Sequence, residues 1–286
     1  MNIAVFADVH GRILLAFKLC ARWQRETGQR VDLMLQAGDL GAFPDLARLD
    51  RATLKHAAHD PTELGFLDDV ARYRPETAAV LDETTCPLVF VRGNHEDHAW
   101  LDELEQAAAG PTFPVDAYGR IFCLRSGMPY TVSVGTDAVS ILGIGRVGPP
   151  VGEQEPGHAK YIQPHETERL LGLGKKPFDV LLTHDAARDA VTPGYGMREI
   201  RLVLDAYRPR YHFYGHTGQP FTHRLDANGA TVSCKMADLH WDTTMRGLLP
   251  PGAMGILRWN GRDDHALDAV DAPWLRDYSA YSWRYS

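Results

Sequence analysis

Arg92-Gly93-Asn94-His95-Glu96 lies between two segments of opposite character. The run before it, Pro87-Leu88-Val89-Phe90-Val91, is apolar and β-branched and has the length of a buried strand. Residues 98–109, after it, carry the spacing of a helix. Asn94 and His95 therefore stand where a strand ends and a helix begins. In an open α/β sheet, ligands bind at the carboxyl ends of strands. A glycine for the turn and an asparagine for the helix cap would account for the same letters without any function. The rest of the chain separates these two readings.

The same junction recurs along the chain. Residues 2–7 read as a strand running into Asp8-Val9-His10-Gly11-Arg12, and Leu33–Gln36 reads as a strand ending in Ala37-Gly38-Asp39. Residues 178–182 run into Thr183-His184-Asp185, and Tyr211–Tyr214 into Gly215-His216-Thr217. Helices are expected at Ile13–Thr27, closed by Gly28, and at residues 61–73, 164–173 and Arg198–Tyr207. Ile121–Leu124, Tyr130–Val134 and residues 138–144 are short β-rich runs that suggest an antiparallel stretch. Residues 145–159 are rich in glycine and proline and read as loop. Residues 221–225 and 230–235 flank Asp226-Ala227-Asn228-Gly229, a hairpin signal, and residues 254–259 form a last strand.

Composition narrows the classes. A chain of 286 residues supports a full core. The expectation is a single domain over 1–286, with a helical insertion at 41–75 beside the site mouth and an aromatic-rich strap at 260–286. A formal charge of −7 makes a long nucleic acid an unfavoured partner. The N-terminal apolar run is short and lacks a basic start, and no stretch reaches membrane-span length, so no membrane is expected. The four cysteines show neither a CxxC pair nor a disulfide framework, which suits reduced thiols in a cytoplasmic protein. The oligomeric state is not legible.

Five strand ends thus carry Asp8 with His10, Asp39, Asn94 with His95, His184, and His216. Carboxylate, imidazole and amide oxygen are the donors a hard-to-borderline divalent ion takes. Wide spacing along the chain is the natural result when each donor comes from a different strand and the sheet fixes its position.

Asp8-Val9-His10, Gly38-Asp39, Gly93-Asn94-His95-Glu96, Thr183-His184 and Gly215-His216 resemble, in order, the motif series of the calcineurin-like metallophosphoesterases. The resemblance implies an α/β fold of two facing mixed β-sheets flanked by helices, a four-layer α/β/β/α sandwich. It implies two divalent metal ions between the sheet ends, manganese first, with iron, zinc and nickel as alternatives. Asp8 and His10 would bind the first metal and Asp39 would bridge both. Asn94, His184 and His216 would bind the second. His95 would face the substrate as the catalytic residue, stabilising the transition state or protonating the leaving oxygen. Arg12 and Arg92, close in sequence to these motifs, are candidates to orient phosphate. His98, one helical turn after His95, is a candidate to line the pocket.

The reaction so implied is hydrolysis of a phosphoester by metal-activated hydroxide. The substrate is expected to be a small molecule or nucleotide-like. The layout is closest to the lariat-debranching branch, which favours a phosphodiester. The protein Ser/Thr phosphatases carry Asp-Arg-Gly after the Gly-Asp motif, where this chain has Leu40-Gly41-Ala42-Phe43-Pro44. The alternatives are a phosphomonoesterase acting on a small metabolite or nucleotide, and a metal-binding scaffold with weak catalysis. One departure matters: Gly218 stands where the family has a second histidine, so the first metal site is expected to be labile, with a one-metal site or substitution by His223 or Gln219 as the alternatives.

Overall fold

The computed structural model describes residues 1–149, 158–241 and 247–285. Residues 150–157 of the expected loop lie outside the described residues. Among the described residues, thirteen strands form two mixed sheets. The first contains β1 (Asn2–Phe6), β2 (Leu33–Gln36), β3 (Leu88–Phe90), β4 (Thr112–Pro114), β5 (Ile121–Leu124), β12 (Gly255–Trp259) and β13 (His265–Ala269), in the order β13-β12-β1-β2-β3-β5-β4. The second contains β6 (Tyr130–Val134), β7 (Asp137–Ile144), β8 (Val180–Thr183), β9 (Tyr211–Tyr214), β10 (Thr222–Leu225) and β11 (Val232–Lys235), in the order β10-β11-β9-β8-β7-β6.

The layers follow from the period of two along each strand. On β1, Ile3 and Val5 join Leu33, Leu35, Val89, Ile141, Val180, Leu182 and Phe213 in a core between the sheets. Ala4 and Phe6 face the other way, against α1 (Ile13–Thr27) and α4 (His98–Ala107). Leu142, Ile144 and Leu181 pack outward against α5 (Pro164–Leu171) and α6 (Arg198–Tyr207). This is the expected α/β/β/α sandwich. β1, β2 and β3 are mutually parallel, as are β8 and β9, so their carboxyl ends gather at one edge.

Several elements depart from the expectations. Residues 61–73 are not one helix: Pro61–Leu64 is a 3-10 turn and Phe66–Val70 a π turn. The break falls at Gly65, where a Cβ would lie 2.0 Å from the Gly11 carbonyl oxygen. Close packing against the His10-Gly11 turn thus overrides helix propensity. Arg51–Ala57 (α2) is a short helix within the expected insertion, and a further, unexpected helix occurs at Pro75–Leu81 (α3), opened by a proline at its first turn. The tail contributes β13, which extends the first sheet by pairing antiparallel with β12. Beyond it, Tyr278 and Trp283 are buried in the helix-side core, and Lys18 Nζ donates to the carbonyls of Trp283 and Arg284. All four cysteines are buried and unpaired. No helix among the described residues is long and apolar enough to cross a membrane.

Candidate metal centre

The gathered strand ends hold two groups of donors that share one carboxylate: Asp8, His10 and Asp39, and Asp39, His184 and His216. Within each group the donor atoms lie within 4.8 Å of one another. Asn94 joins the second group, its side-chain oxygen 3.0 Å from His184 Nε2. His184 Nε2 also lies 3.3 Å from Asp39 Oδ2, and His10 Nε2 lies 3.8 Å from the same oxygen.

The backbone is bent to make this arrangement. Asp8, His10, Asp39 and His216 all have positive φ, at 48°, 44°, 55° and 64°. That conformation is costly for non-glycine residues, and Asp and His are among those that tolerate it. Backbone hydrogen bonds stitch the bends together: Asp8 N–H to Gly38 O at 3.1 Å, His10 N–H to Asp39 O at 2.8 Å, and Gly215 N–H to His184 O at 3.1 Å.

Three glycines precede donors because the donors occupy the space a Cβ would need. A Cβ at Gly93 would lie 2.0 Å from Asp39 Oδ1, one at Gly215 would lie 2.2 Å from Asp8 Oδ2, and one at Gly38 would lie 2.4 Å from His184 Cβ. The motif glycines are therefore a consequence of the site's compactness.

The donors are held from behind. Asp39 Oδ1 accepts from His95 N–H at 2.7 Å. The His184 Nδ1–H donates to the Ala37 carbonyl at 2.9 Å, which turns Nε2 toward the site. Glu96 accepts from the amides of Leu40, Ala42 and Gly93, so the carboxylate that closes the Gly93–Glu96 motif fixes the loop after Asp39. Burial pushes the Glu96 carboxyl up to about 7, and the Asp39 charge adds to that.

The donor set fits divalent cations. Burial pushes His10 and His216 down to about 4, so both imidazoles are neutral near pH 7 and offer lone pairs. Burial lifts Asp8 to about 7, opposed by the His184 charge. Burial also opposes a charged His184, but the Asp39 charge and hydrogen bond outweigh it and carry His184 up to about 10. A cation binding here replaces that proton.

His95 sits beside the donors, its ring centroid 5.6 Å from that of His10. Its Nδ1 lies 3.0 Å from Asp50 Oδ2, while Asp50 Oδ1 caps α2 by accepting from Thr53 N–H at 2.7 Å. Burial opposes protonation of His95, but the Asp50 bond and the Asp39 charge prevail and hold its pKa above the ordinary value. Sequence reading missed Asp50. Its capping role is legible in Asp50-x-x-Thr53, but a partner 45 residues away is not.

Three candidates are corrected. Arg92 does not reach the cleft: its buried guanidinium donates to Asp102 at 2.5 Å and Glu105 at 2.6 Å. Arg12 lies in the cleft wall but directs its guanidinium to Asp60 at 2.5 Å and Glu63 at 3.3 Å, so carboxylates already hold the charge expected to orient phosphate. His98 is buried away from the cleft and kept neutral, pushed down to about 2 by burial and by the charges of Arg146 and Arg92.

At Gly218, φ is +61° and nothing lies within 4 Å of the point a Cβ would occupy, so the place of the expected second histidine is open space. His223 is exposed on β10 beside Phe221, and Gln219 lines a neighbouring cavity. Neither joins the donors. His56 and His59, carried by the insertion expected beside the site mouth, line the same cleft as Asp8, His10 and Gly218, as do Asp238 and His240, which the sequence did not single out.

Residues 1–220 match the family model described as calcineurin-like phosphoesterase. No curated protein matches the chain. Among solved structures, TT1561 of Thermus thermophilus gives a TM-score of 0.52 at 15% identity, covering 94% of this chain and 99% of that one. GAP50, titled the anchor in the inner membrane complex of Plasmodium, gives 0.51 at 12% identity, covering 98% and 85%. At such identities the likeness speaks for the fold.

Proposed function

Because the chain belongs to the calcineurin-like phosphoesterase family, and is thereby a hydrolase of phosphoesters, we propose that it cleaves a phosphodiester at a two-metal centre, with manganese as the working ion. The observation that carries this reading is the pair of donor groups sharing Asp39. One carboxylate shared by two donor groups would let Asp39 serve both ions of a pair, the arrangement that favours displacement at phosphorus. When bound, such ions supply Lewis acidity and a water of lowered pKa.

The chain's own residues do the rest. Asp8, His10 and Asp39 would hold the first ion, and Asp39, Asn94, His184 and His216 the second. His95, aligned by Asp50, carries a proton to the leaving oxygen. The open space at Gly218 leaves the first position one donor poorer, so two ions would bind with unequal affinity. A cytoplasmic setting belongs to the same reading, supported by four unpaired cysteines.

The test is turnover of two aryl phosphate reporters, a diester and a monoester, by the manganese-loaded protein and by Asp39→Ala. The reading expects faster diester cleavage and none by the variant. A faster monoester would replace the diester assignment. Turnover of neither, with metal bound, would leave a scaffold, and near-normal Asp39→Ala activity would refute the site.

A further inference from the structure

We propose that a second cavity, opening beside Asn94 and His216, receives the leaving arm of the substrate, and that this arm is a nucleoside bearing a further phosphate. The inference rests on the phosphoesterase reading and names the substrate class that its site would take. The cavity is about 400 Å³, within the range of small-molecule sites. Asn94 and His216 stand in its wall, so a phosphoester held at the second donor group projects one substituent into it.

Another part of the wall is built rather than loose. Asp185 accepts from the amides of Gly148 at 2.9 Å and Ala186 at 2.7 Å and so ties two loops together. The second loop closes on itself through Arg188 N–H to Met197 O at 3.0 Å and Asp189 N–H to Tyr195 O at 2.8 Å.

Two features of this wall select a ligand. The first is charge. Lys160 and Arg188 both line the cavity. The Lys160 ammonium stands over the Tyr161 ring at 5.2 Å, and the Arg188 guanidinium donates to the Gly194 carbonyl. Among the described residues neither has a carboxylate within ion-pair distance, whereas the arginines nearer the donors, Arg12 and Arg92, are each paired to two. In a chain of net charge −7, that makes a local site for an anion.

The second feature is the pair of rings. Tyr161 and Tyr195 line the same space, and Tyr195 is largely exposed. Aromatic rings beside cations are surfaces on which nucleobases stack. A plain alkyl arm would leave both cations without a counter-charge among the described residues, and a second phosphate alone would leave the exposed Tyr195 ring unused. A nucleotide engages both.

The test is calorimetric titration of the full manganese-loaded chain with adenosine 3′,5′-bisphosphate, with 2,3-bisphosphoglycerate as a ringless bisphosphate, and with inorganic phosphate. The nucleotide should bind at least about tenfold more tightly than inorganic phosphate, the worth of one hydrogen bond to a charged group. Lys160→Ala, which removes a side chain with no hydrogen bond to another described residue, should erase that margin. Arg188→Ala and Tyr195→Ala should each reduce it.

Equal affinity for nucleotide and inorganic phosphate, or a margin that survives Lys160→Ala and Arg188→Ala, would overturn the site. A ringless bisphosphate binding as tightly as the nucleotide would overturn the nucleoside assignment. Failure of the phosphoesterase reading shows separately, as absence of reporter turnover whatever the nucleotide affinity.

Discussion

At the scale of single residues, His95 and the motif glycines carry different burdens, and substitution separates them. The His95 side chain hydrogen-bonds to Asp50 and not to a donor, so His95→Ala should cost about 10²–10⁴ in turnover while metal content stays at the wild-type level. Loss of metal would overturn its assigned part. Asp50→Asn keeps the α2 cap but weakens the carboxylate's hold on the imidazole, and a smaller loss in kcat with little change in KM is expected. Gly93→Ala and Gly218→His form an opposed pair. The first drives a methyl into Asp39 and should lower metal affinity together with activity. The second fills open space at a φ that histidine tolerates, and should tighten the weaker ion by at least about tenfold in a metal titration. Two ions already equal in the wild type would refute the premise. The donors were legible because each closes a recognisable strand. Asp50 and the cleft residue His240 were not, since nothing local marks a side chain whose partner arrives from a distant segment.

At the scale of elements, Arg92 shows how a motif neighbour is misread. Adjacency to Gly93 suggested phosphate, yet strand β3 carries the side chain to α4, where Asp102 and Glu105 wait one helical turn apart. Arg92→Ala should therefore act on stability. Breaking a buried pair costs about 3–5 kcal/mol, and the lower end applies here because Arg125 and Arg169 still reach Glu105. A fall in the urea midpoint with unchanged KM is expected. The reverse, a raised KM at full stability, would restore the phosphate role. Most elements were readable from period and punctuation: α1, β2, β5, β6, α6 and β9 have the bounds expected. The failures cluster where long-range packing decides. Gly65 breaks residues 61–73 because Gly11 leaves no room. The three-residue β4 and the edge strand β13 carry too little local pattern to stand out, and pairing with β5 and β12 defines them.

At the scale of the whole molecule, nothing local tells β12 to lie beside β1, with Asn2 opposite Arg258, or sets two sheets face to face. The same closure buries His212, and acid stability reads out that burial. His212 Nε2 lies 2.8 Å from Thr183 Oγ1, whose own proton goes to the Asp185 carbonyl, so Nε2 carries the hydrogen; Nδ1 then accepts from Ser233 Oγ at 3.3 Å. An added proton on Nδ1 would turn that bond round, with Ser233 Oγ accepting, and would place a charge inside the second sheet. Burial accordingly pushes His212 down to about 3 from an ordinary 6.5. Below pH 6.5 the unfolded chain takes up a proton that the folded one refuses. The stabilisation is therefore complete above pH 6.5 and is lost as pH falls from there toward 3, at about 1.4 kcal/mol per pH unit. Other groups titrate over the same range, so the measurement is a difference. The stability of wild type minus that of His212→Gln, from urea unfolding, should fall by about 2 kcal/mol between pH 7 and pH 5. A difference that stays constant over that interval would mean that His212 titrates alike in both states, and that the sheet does not seal it from solvent.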